Sequence, residues 1–392
     1  MIPATITKRS LTKILAAIAT IVALTLFVRD QQSSFIRTRA SNIARASPAS
    51  TGASSNASSP TPSALPVDPY ITTRSTGTHN YIHLQRQSPV NNSSLNPYRD
   101  GDLDKNILIL SNFHNSHSFG KNRTFTSYLQ TIESIDYPRH LLSLGFLISD
   151  YEDYEAFIPE FEQFVRRHNL AAASLILYIR EEPFSRKDRQ KSDIQKSRRS
   201  FLAQLRNRLL MSTLRDEDGV LWIDSDIIEI QSDALKQFVR SGLDIITPFC
   251  RFGTNGTNNF DANAWVGKRT RPNEQQWKDI KDGRKTDFVP MHSGSKFVSD
   301  WINKEDRVVE LDSVGGTVLY VRADVHRNGV NFPPFYLIGS DWDAKYGGYD
   351  GIETEGLCYI ARTIGYRCWA MPHITVSHTA QQENPKPKGN AE

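Results

Sequence analysis

Between Val220 and Ile230 the sequence reads VLWIDSDIIEI, an apolar run that leads into Asp224, Ser225 and Asp226. Two carboxylates at i and i+2 of an extended chain point to the same side. At the C-terminal end of a central strand in an open α/β sheet they would face the crevice where ligands bind. Hard carboxylate oxygens there suit Mg²⁺ or Mn²⁺ bridging a diphosphate. A cation so placed neutralises charge on a departing nucleoside diphosphate, so the chemistry implied is transfer from a nucleotide sugar, and no protein nucleophile is needed for that role. The competing reading is a strand-end turn carrying two solvated acids.

Other residues could join such a site. Arg186 to Arg208 carries nine basic residues against two acids. A charge run on a helix is usually its solvated face, but Arg206 and Asn207 lie close before the D-x-D strand and are candidates for phosphate contacts. His378 closes the apolar run ITVSHT, where a neutral imidazole is a candidate third metal ligand beside Asp224 and Asp226. His114, His117, Asp261 in FDANAW, and the acids Asp350, Glu353 and Glu355 in YDGIETEG are polar loop residues that a site could use and a surface could equally display. Cys250, Cys358 and Cys368 lack metal-type spacing; buried thiols, or one Cys358–Cys368 bridge with Cys250 left over, both stay open. No G-x-S-x-G, P-loop or G-x-G-x-x-G element occurs, which weighs against hydrolase, NTPase and dinucleotide-binding readings.

The elements that must position these residues begin near residue 105. Apolar runs at 106–113, 141–150, 174–183, 220–230 and 244–249 read as strands buried on both faces. Helix-compatible stretches lie between them at 123–135, 153–168, 194–214 and 233–241. That alternation predicts an α/β domain with a largely parallel sheet, a Rossmann-like nucleotide-binding half. After 255 the pattern loosens into a more irregular half, with a strand at 316–325, a helix at 355–363 and a last strand at 368–378.

The chain has 392 residues, 47 of them Lys or Arg and 43 Asp or Glu. Its 23% charged and 10% aromatic residues exclude a wholly disordered chain, a collagen and a multi-span membrane protein, and three cysteines exclude a disulfide scaffold. A net charge of +4 with nearly matched signs gives no case for nucleic acid as a partner. Residues 11–28 form an apolar run that as a helix spans roughly 27 Å, enough for a thin bilayer and longer than the usual signal-peptide core. The organisation expected is a cytosolic tail (1–10), a single transmembrane signal anchor (11–28), a disordered Ser/Thr/Pro-rich stem (29–103), a luminal domain (104–380) and a disordered tail (381–392). Sequons at Asn56, Asn91, Asn92, Asn122 and Asn255 fit a luminal address.

Several stretches together resemble the fungal α-mannosyltransferases of the mannan polymerase complexes, glycosyltransferase family 62. They are YLQTIESIDYPRHLLSLGFLISD, the pair Arg206-Asn207, VLWIDSDIIE, FDANAW, VVELDSVGGTVLYVRADVHRNGVNFPP, and DGIETEGLCYIARTIGY followed by His378. The resemblance implies a type II Golgi membrane protein, or one of the endoplasmic reticulum, with a GT-A fold that transfers mannose from GDP-mannose to α-1,6-linked mannan or an N-glycan acceptor, with retention and with Mn²⁺. It also implies a hetero-oligomeric complex, in which the alternative role is a weakly catalytic or non-catalytic assembly subunit. A transferase of similar fold with another nucleotide-sugar donor is a further alternative. By the same resemblance Asp224, Asp226 and His378 are metal ligands, and Arg206, Asn207, Asp224 and Glu353 are donor-site contacts. Asp226, Asp261 and Glu355 are the catalytic candidates.

Overall fold

The elements in chain order are β1 (Tyr70–Ser75), β2 (Tyr81–Arg86), β3 (Ile107–Phe113), α1 (Phe125–Glu133), β4 (Leu142–Ile148), α2 (Tyr151–His168), β5 (Ala172–Leu177), α3 (Gln195–Thr213), β6 (Gly219–Ile223) and β7 (Ile227–Ile230). They continue with α4 (Ala234–Ser241), β8 (Ile245–Phe252), β9 (Trp265–Arg269), α5 (Glu274–Lys281), β10 (His292–Phe297), β11 (Val309–Leu311), β12 (Val318–Arg322), α6 (Ala323–Arg327), α7 (Thr354–Thr363) and β13 (Cys368–His378). This computed structural model describes residues 68–76, 80–87, 104–184, 194–254, 258–285, 288, 290–335 and 351–379. The anchor at 11–28, the tail at 381–392, Asp350, and the sequons at Asn56, Asn91, Asn92 and Asn255 lie outside the described residues. Among the described residues no helix is long and apolar enough to cross a membrane.

Apolar residues on both phases of the central strands bury two sheet faces, as the period-two pattern requires. Ile107, Ile109 and Phe113 of β3 and Leu221 and Ile223 of β6 face one core, packed with Phe125 and Tyr128 of α1, Phe157 and Phe161 of α2, and Leu235 and Phe238 of α4. Leu108 and Leu110 of β3 and Val220 and Trp222 of β6 face the other, with Phe201, Leu205 and Leu209 of α3 and Leu357 and Ala361 of α7. The result is a three-layer α/β/α arrangement.

The main sheet runs β1-β2-β5-β4-β3-β6-β12-β8-β13-β11, with β7 paired to β13. Strands β5, β4, β3 and β6 are parallel, as are β8 and β13. The sheet is nonetheless mixed rather than largely parallel, because β12 lies antiparallel between β6 and β8. The physical reason is the loop before β12. It brings Ser313 to Thr317 to the end of β6, so the strand that follows must run back along its neighbour, whereas a crossover helix would have kept it parallel.

Two further expectations are corrected. Residues 70–86, read as disordered stem, form the hairpin β1–β2, which pairs antiparallel with β5. Among its described residues the buried apolar side chains are Tyr70, Ile82 and Leu84, and the Tyr70 hydroxyl donates to Leu170 O at 2.7 Å. An edge hairpin held mainly by backbone hydrogen bonds needs no sustained apolar run, so composition hid it. The expected strand 220–230 is in fact two strands on different neighbours, β6 on β3 and β12 and β7 on β13, interrupted at the D-x-D triplet. The open cysteine question resolves to a Cys358–Cys368 bridge tying α7 to β13, with Cys250 buried and free.

Candidate active site

β6 stops at Ile223 because the chain turns. Asp224 N donates to Thr317 O at 2.8 Å, and Ile227 N donates back to Asp224 O at 3.2 Å, closing a turn over Asp224-Ser225-Asp226. Ser225 Oγ pins the turn by donating to Ser118 O at 2.9 Å. The two carboxylates therefore do not share a side as they would on an extended chain. Asp224 turns toward Arg206 and Asp226 toward His378.

Arg206 lies almost wholly buried on α3 with its guanidinium between Trp222 and Phe332, 5.4 Å from each ring centre. Its Nη2 donates to Asp224 Oδ1 at 2.8 Å and to Gly316 O at 3.0 Å, while Nε meets Glu353 Oε1 at 3.0 Å. Burial works against its charge, but Asp224, Glu353 and Asp261 more than offset that and raise its pKa. Asp224 shifts upward to about 7, through burial and the negative charge of Asp226, Glu353 and Asp261, against the pull of Arg206. Glu353 sits at φ +63°, rare for a residue with a side chain, and its N–H is held by Pro333 O at 2.9 Å.

Asn207 braces the backbone beside Arg206. Its Nδ2 donates to Phe332 O at 2.7 Å and its Oδ1 accepts from Phe332 N at 3.0 Å, so both ends of the amide are spent holding the strip that flanks Arg206. Asp261 is also engaged: Oδ2 accepts from Thr317 N at 3.2 Å and Thr317 Oγ1 at 3.0 Å, and Oδ1 accepts from Asn263 N at 3.2 Å. Those bonds fix the Gly315–Thr317 strip. A Cβ on Gly315 would fall 2.1 Å from Asp261 Oδ2, and one on Gly316 would fall 2.9 Å from Arg206 Nη2, so both glycines allow a close backbone approach.

Glu355, buried at the start of α7, meets Arg269 and lies 3.1 Å from Arg199 Nη1. Arg199 precedes Arg206 by two turns on α3, so one helix flank aligns two arginines with two acids, Arg199 with Glu355 and Arg206 with Glu353.

His378 is buried at the end of β13, with Nε2 2.8 Å from Asp226 Oδ2. Thr379 O, which can only accept, lies 2.8 Å from Nδ1 and so fixes the proton there. The ring stacks on Phe260 at 3.5 Å. Burial depresses its pKa, but the hydrogen bond and charge of Asp226 outweigh that and leave it raised. His114 lies beside Glu182 at 3.6 Å, and His117 lies in the 3-10 turn Ser116–Phe119, whose Ser118 O accepts from Ser225 Oγ.

Among the described residues no group of three His, Cys, Asp or Glu side chains converges to hold a metal ion. The expected trio is instead two ion pairs, Asp224–Arg206 and Asp226–His378. The donor chemistry fits a divalent cation even so. With Nδ1 committed to a carbonyl, Nε2 carries the proton shared with Asp226 Oδ2 in the geometry seen; loss of that proton would expose a nitrogen donor beside a carboxylate oxygen, and mixed N and O donors suit Mn²⁺.

Sequence reasoning held Arg199 only as one member of the basic run and missed Arg269, Thr317 and Phe260. The seven-residue spacing of Arg199 and Arg206 on one predicted helix was a usable signal; the others meet the site only through tertiary contacts.

The α/β/α layers with a charged strand-end site at the tip of β6 define the class: a mixed-sheet α/β protein with an enzyme-like acidic centre. The chain belongs to the Anp1 family, whose model matches residues 90–336. The resemblance read from the motifs is thereby borne out. Relatives include the mannan polymerase complex subunit mnn9 of Schizosaccharomyces pombe, 28% identical over 65% of this chain and 77% of that one. Another is the mannan polymerase complex subunit MNN9 of Candida albicans, 28% identical over 64% of this chain and 70% of that one. Among solved structures, the mannosyltransferase PcManGT of Pyrobaculum calidifontis, in complex with GDP-Man and Mn²⁺, is 14% identical over 71% of this chain and 58% of that one, at a TM-score of 0.38.

Proposed function

We propose that this chain is a GT-A-type glycosyltransferase that moves mannose from GDP-mannose to an α-1,6-linked mannan or N-glycan acceptor with retention of configuration. The observation that carries the reading is the Asp226–His378 contact beside the Asp224–Arg206 pair at the end of β6. Four functional groups from three distant parts of the sequence meet where a nucleotide diphosphate binds in such sheets. Asp226 and His378 would hold Mn²⁺ with Asp224, and the bound cation would neutralise the diphosphate leaving group. Arg206 keeps Asp224 oriented and adds positive charge at the same point. Thr317 and Asp261 fix the glycine strip against which Asp261 and Arg206 pack. Glu355, held between Arg199 and Arg269, would face the acceptor side.

The expected setting is a type II protein of the Golgi membrane, anchored by 11–28 with its domain in the lumen. The Cys358–Cys368 bridge supports an oxidising compartment.

A second reading is an assembly subunit with little activity of its own, favoured by relatives that are named subunits of mannan polymerase complexes. Calorimetric titration of GDP-mannose with and without Mn²⁺, on the wild type and Asp226→Ala, separates the two. Binding that needs both the metal and Asp226 supports the transferase. Absence of binding in every arm favours the assembly role.

A further inference from the structure

A second polar cleft lies on the other flank of α3. Arg206 and Arg208 are two positions apart and so about 200° around the helix axis. Arg206 turns into the active site, whereas Arg208 stacks on Tyr178 with its guanidinium carbon 4.0 Å from the ring centre. Between this flank and the open face of β2 and β5 is a cavity of ≈ 650 Å³, lined by Arg208, Arg215, Ser212, His83, Ser174 and Tyr81 among others. Its size is that of a small-ligand site.

The lining has one sign of charge. Among the described residues no carboxylate lines the cleft itself; the nearest acid is Glu217, buried beside it, whose carboxylate accepts from the Arg215 backbone N at 2.8 Å. Arg208 Nε is buried without a hydrogen-bond partner, although stacking holds the group in place. A guanidinium held in place by stacking presents an oriented fork of donors of the kind that recognises carboxylate and phosphate bidentately. His83 Nδ1 is 2.9 Å from Ser174 Oγ, and burial together with the Arg215 charge keeps the ring below its ordinary pKa against the opposing pull of hydrogen bonds and of Glu217. At neutral pH the histidine and the hydroxyls of Ser174, Ser212 and Tyr81 are therefore neutral hydrogen-bonding groups, and the arginines carry the charge.

We propose that this cleft binds a phosphorylated carbohydrate, its phosphate on Arg208 and Arg215 and its hydroxyls on the His83–Ser174–Tyr81 wall. The volume exceeds what a bare phosphate fills, and the neutral wall matches a polyhydroxylated body. The site is separate from the donor centre, so the inference does not depend on the transfer activity.

The test is calorimetric titration of the full-length chain in detergent, stripped of divalent metal, with mannose 6-phosphate, inorganic phosphate and mannose as probes. The expected result is millimolar or tighter binding of mannose 6-phosphate, weaker binding of phosphate, and no heat with mannose. Arg208→Gln and Arg215→Gln should each weaken the sugar phosphate about tenfold, the loss of one charge-assisted contact. Asp226→Asn, which disables the donor centre, should leave this binding unchanged. Arg215 is exposed, so its variant reports on the cleft even if Arg208→Gln lowers stability. The proposal is overturned by absence of binding at millimolar probe, by equal binding of phosphate and sugar phosphate, or by loss in Asp226→Asn with Arg215→Gln unaffected. It is likewise overturned if a polyglutamate peptide binds the same two arginines more tightly than the sugar phosphate, which would make the cleft a docking site for protein.

Discussion

Asp226 Oδ2 and His378 Nε2 lie 2.8 Å apart, and the far side of the histidine ring is fixed by Thr379 O at 2.8 Å from Nδ1 and by the Phe260 face at 3.5 Å. A ring held by three partners presents Nε2 in one direction only. Removing Phe260 should therefore loosen the histidine without touching any ligand. Phe260→Ala is expected to weaken Mn²⁺-dependent GDP-mannose binding about tenfold, the effect typical of losing an outer support of a metal ligand. Phe260→Leu should recover part of it; calorimetry on both variants checks this.

Arg206 joins two carboxylates and one carbonyl in a nearly closed setting. Arg206→Ala leaves Glu353 buried without its counter-charge and takes the partner from the partly exposed Asp224, and a destabilisation of about 3–5 kcal/mol is expected from the buried Arg206–Glu353 pair. Chemical denaturation of wild type and variant measures it directly. A loss under 1 kcal/mol would mean that the pair behaves like a surface ion pair.

Asn207 separates structural from donor-binding roles. Among the described residues its amide bonds the Phe332 backbone at both ends. Asn207→Ala should lower stability by about 1–3 kcal/mol through the unmet backbone groups. The affinity of the folded variant for GDP-mannose should change less than that of Arg206→Lys. A large affinity loss with unchanged stability would return Asn207 to the donor site.

Gly315 is the tightest steric test. A methyl at this position would sit 2.1 Å from Asp261 Oδ2, so Gly315→Ala must displace the carboxylate and break its bonds to Thr317. The expected cost is about 1–3 kcal/mol of stability, together with weakened donor binding, because Thr317 O also anchors Asp224 N. Thermal melts and calorimetry on one preparation give both numbers.

The raised pKa of Asp224, about 7 in place of the usual carboxylate value, gives a pH dependence of known sign. The folded chain holds this proton more tightly than the unfolded chain does. Without metal, the contribution of Asp224 to stability is therefore present at low pH and is lost as pH rises from about 4 to about 7. Metal-dependent donor binding runs the other way, since protonated Asp224 and protonated His378 are both poor ligands. GDP-mannose affinity with Mn²⁺ should fall as pH drops below about 7, and Asp224→Asn should flatten the Asp224 part of that profile.

Much of this protein is legible in its residues. The runs at 106–113, 141–150 and 244–249 are continuous apolar stretches, and burial on both faces is the only arrangement that satisfies them, so β3, β4 and β8 follow. The D-x-D triplet, Arg206, Glu353, Glu355 and His378 were all recognisable as candidates. The mixed direction of β12 was not, since hydropathy marks a strand but carries no information on which neighbour it joins or which way it runs. The hairpin at 70–86 escaped notice because backbone pairing to β5 holds it, with few apolar side chains.

The same division holds inside the site. Residue type and local spacing determined that carboxylates end a central strand and that a basic helix precedes it, because those are properties of a few consecutive side chains. Tertiary structure alone decided which acid meets which base. Asp224 pairs with Arg206 and Asp226 with His378 because a tight turn splits two carboxylates that an extended chain would have kept together, and because β12 and β13 bring Gly316 and His378 to that turn. Charge pairing falls off steeply with distance and depends on burial, and both are set by elements far apart in the sequence.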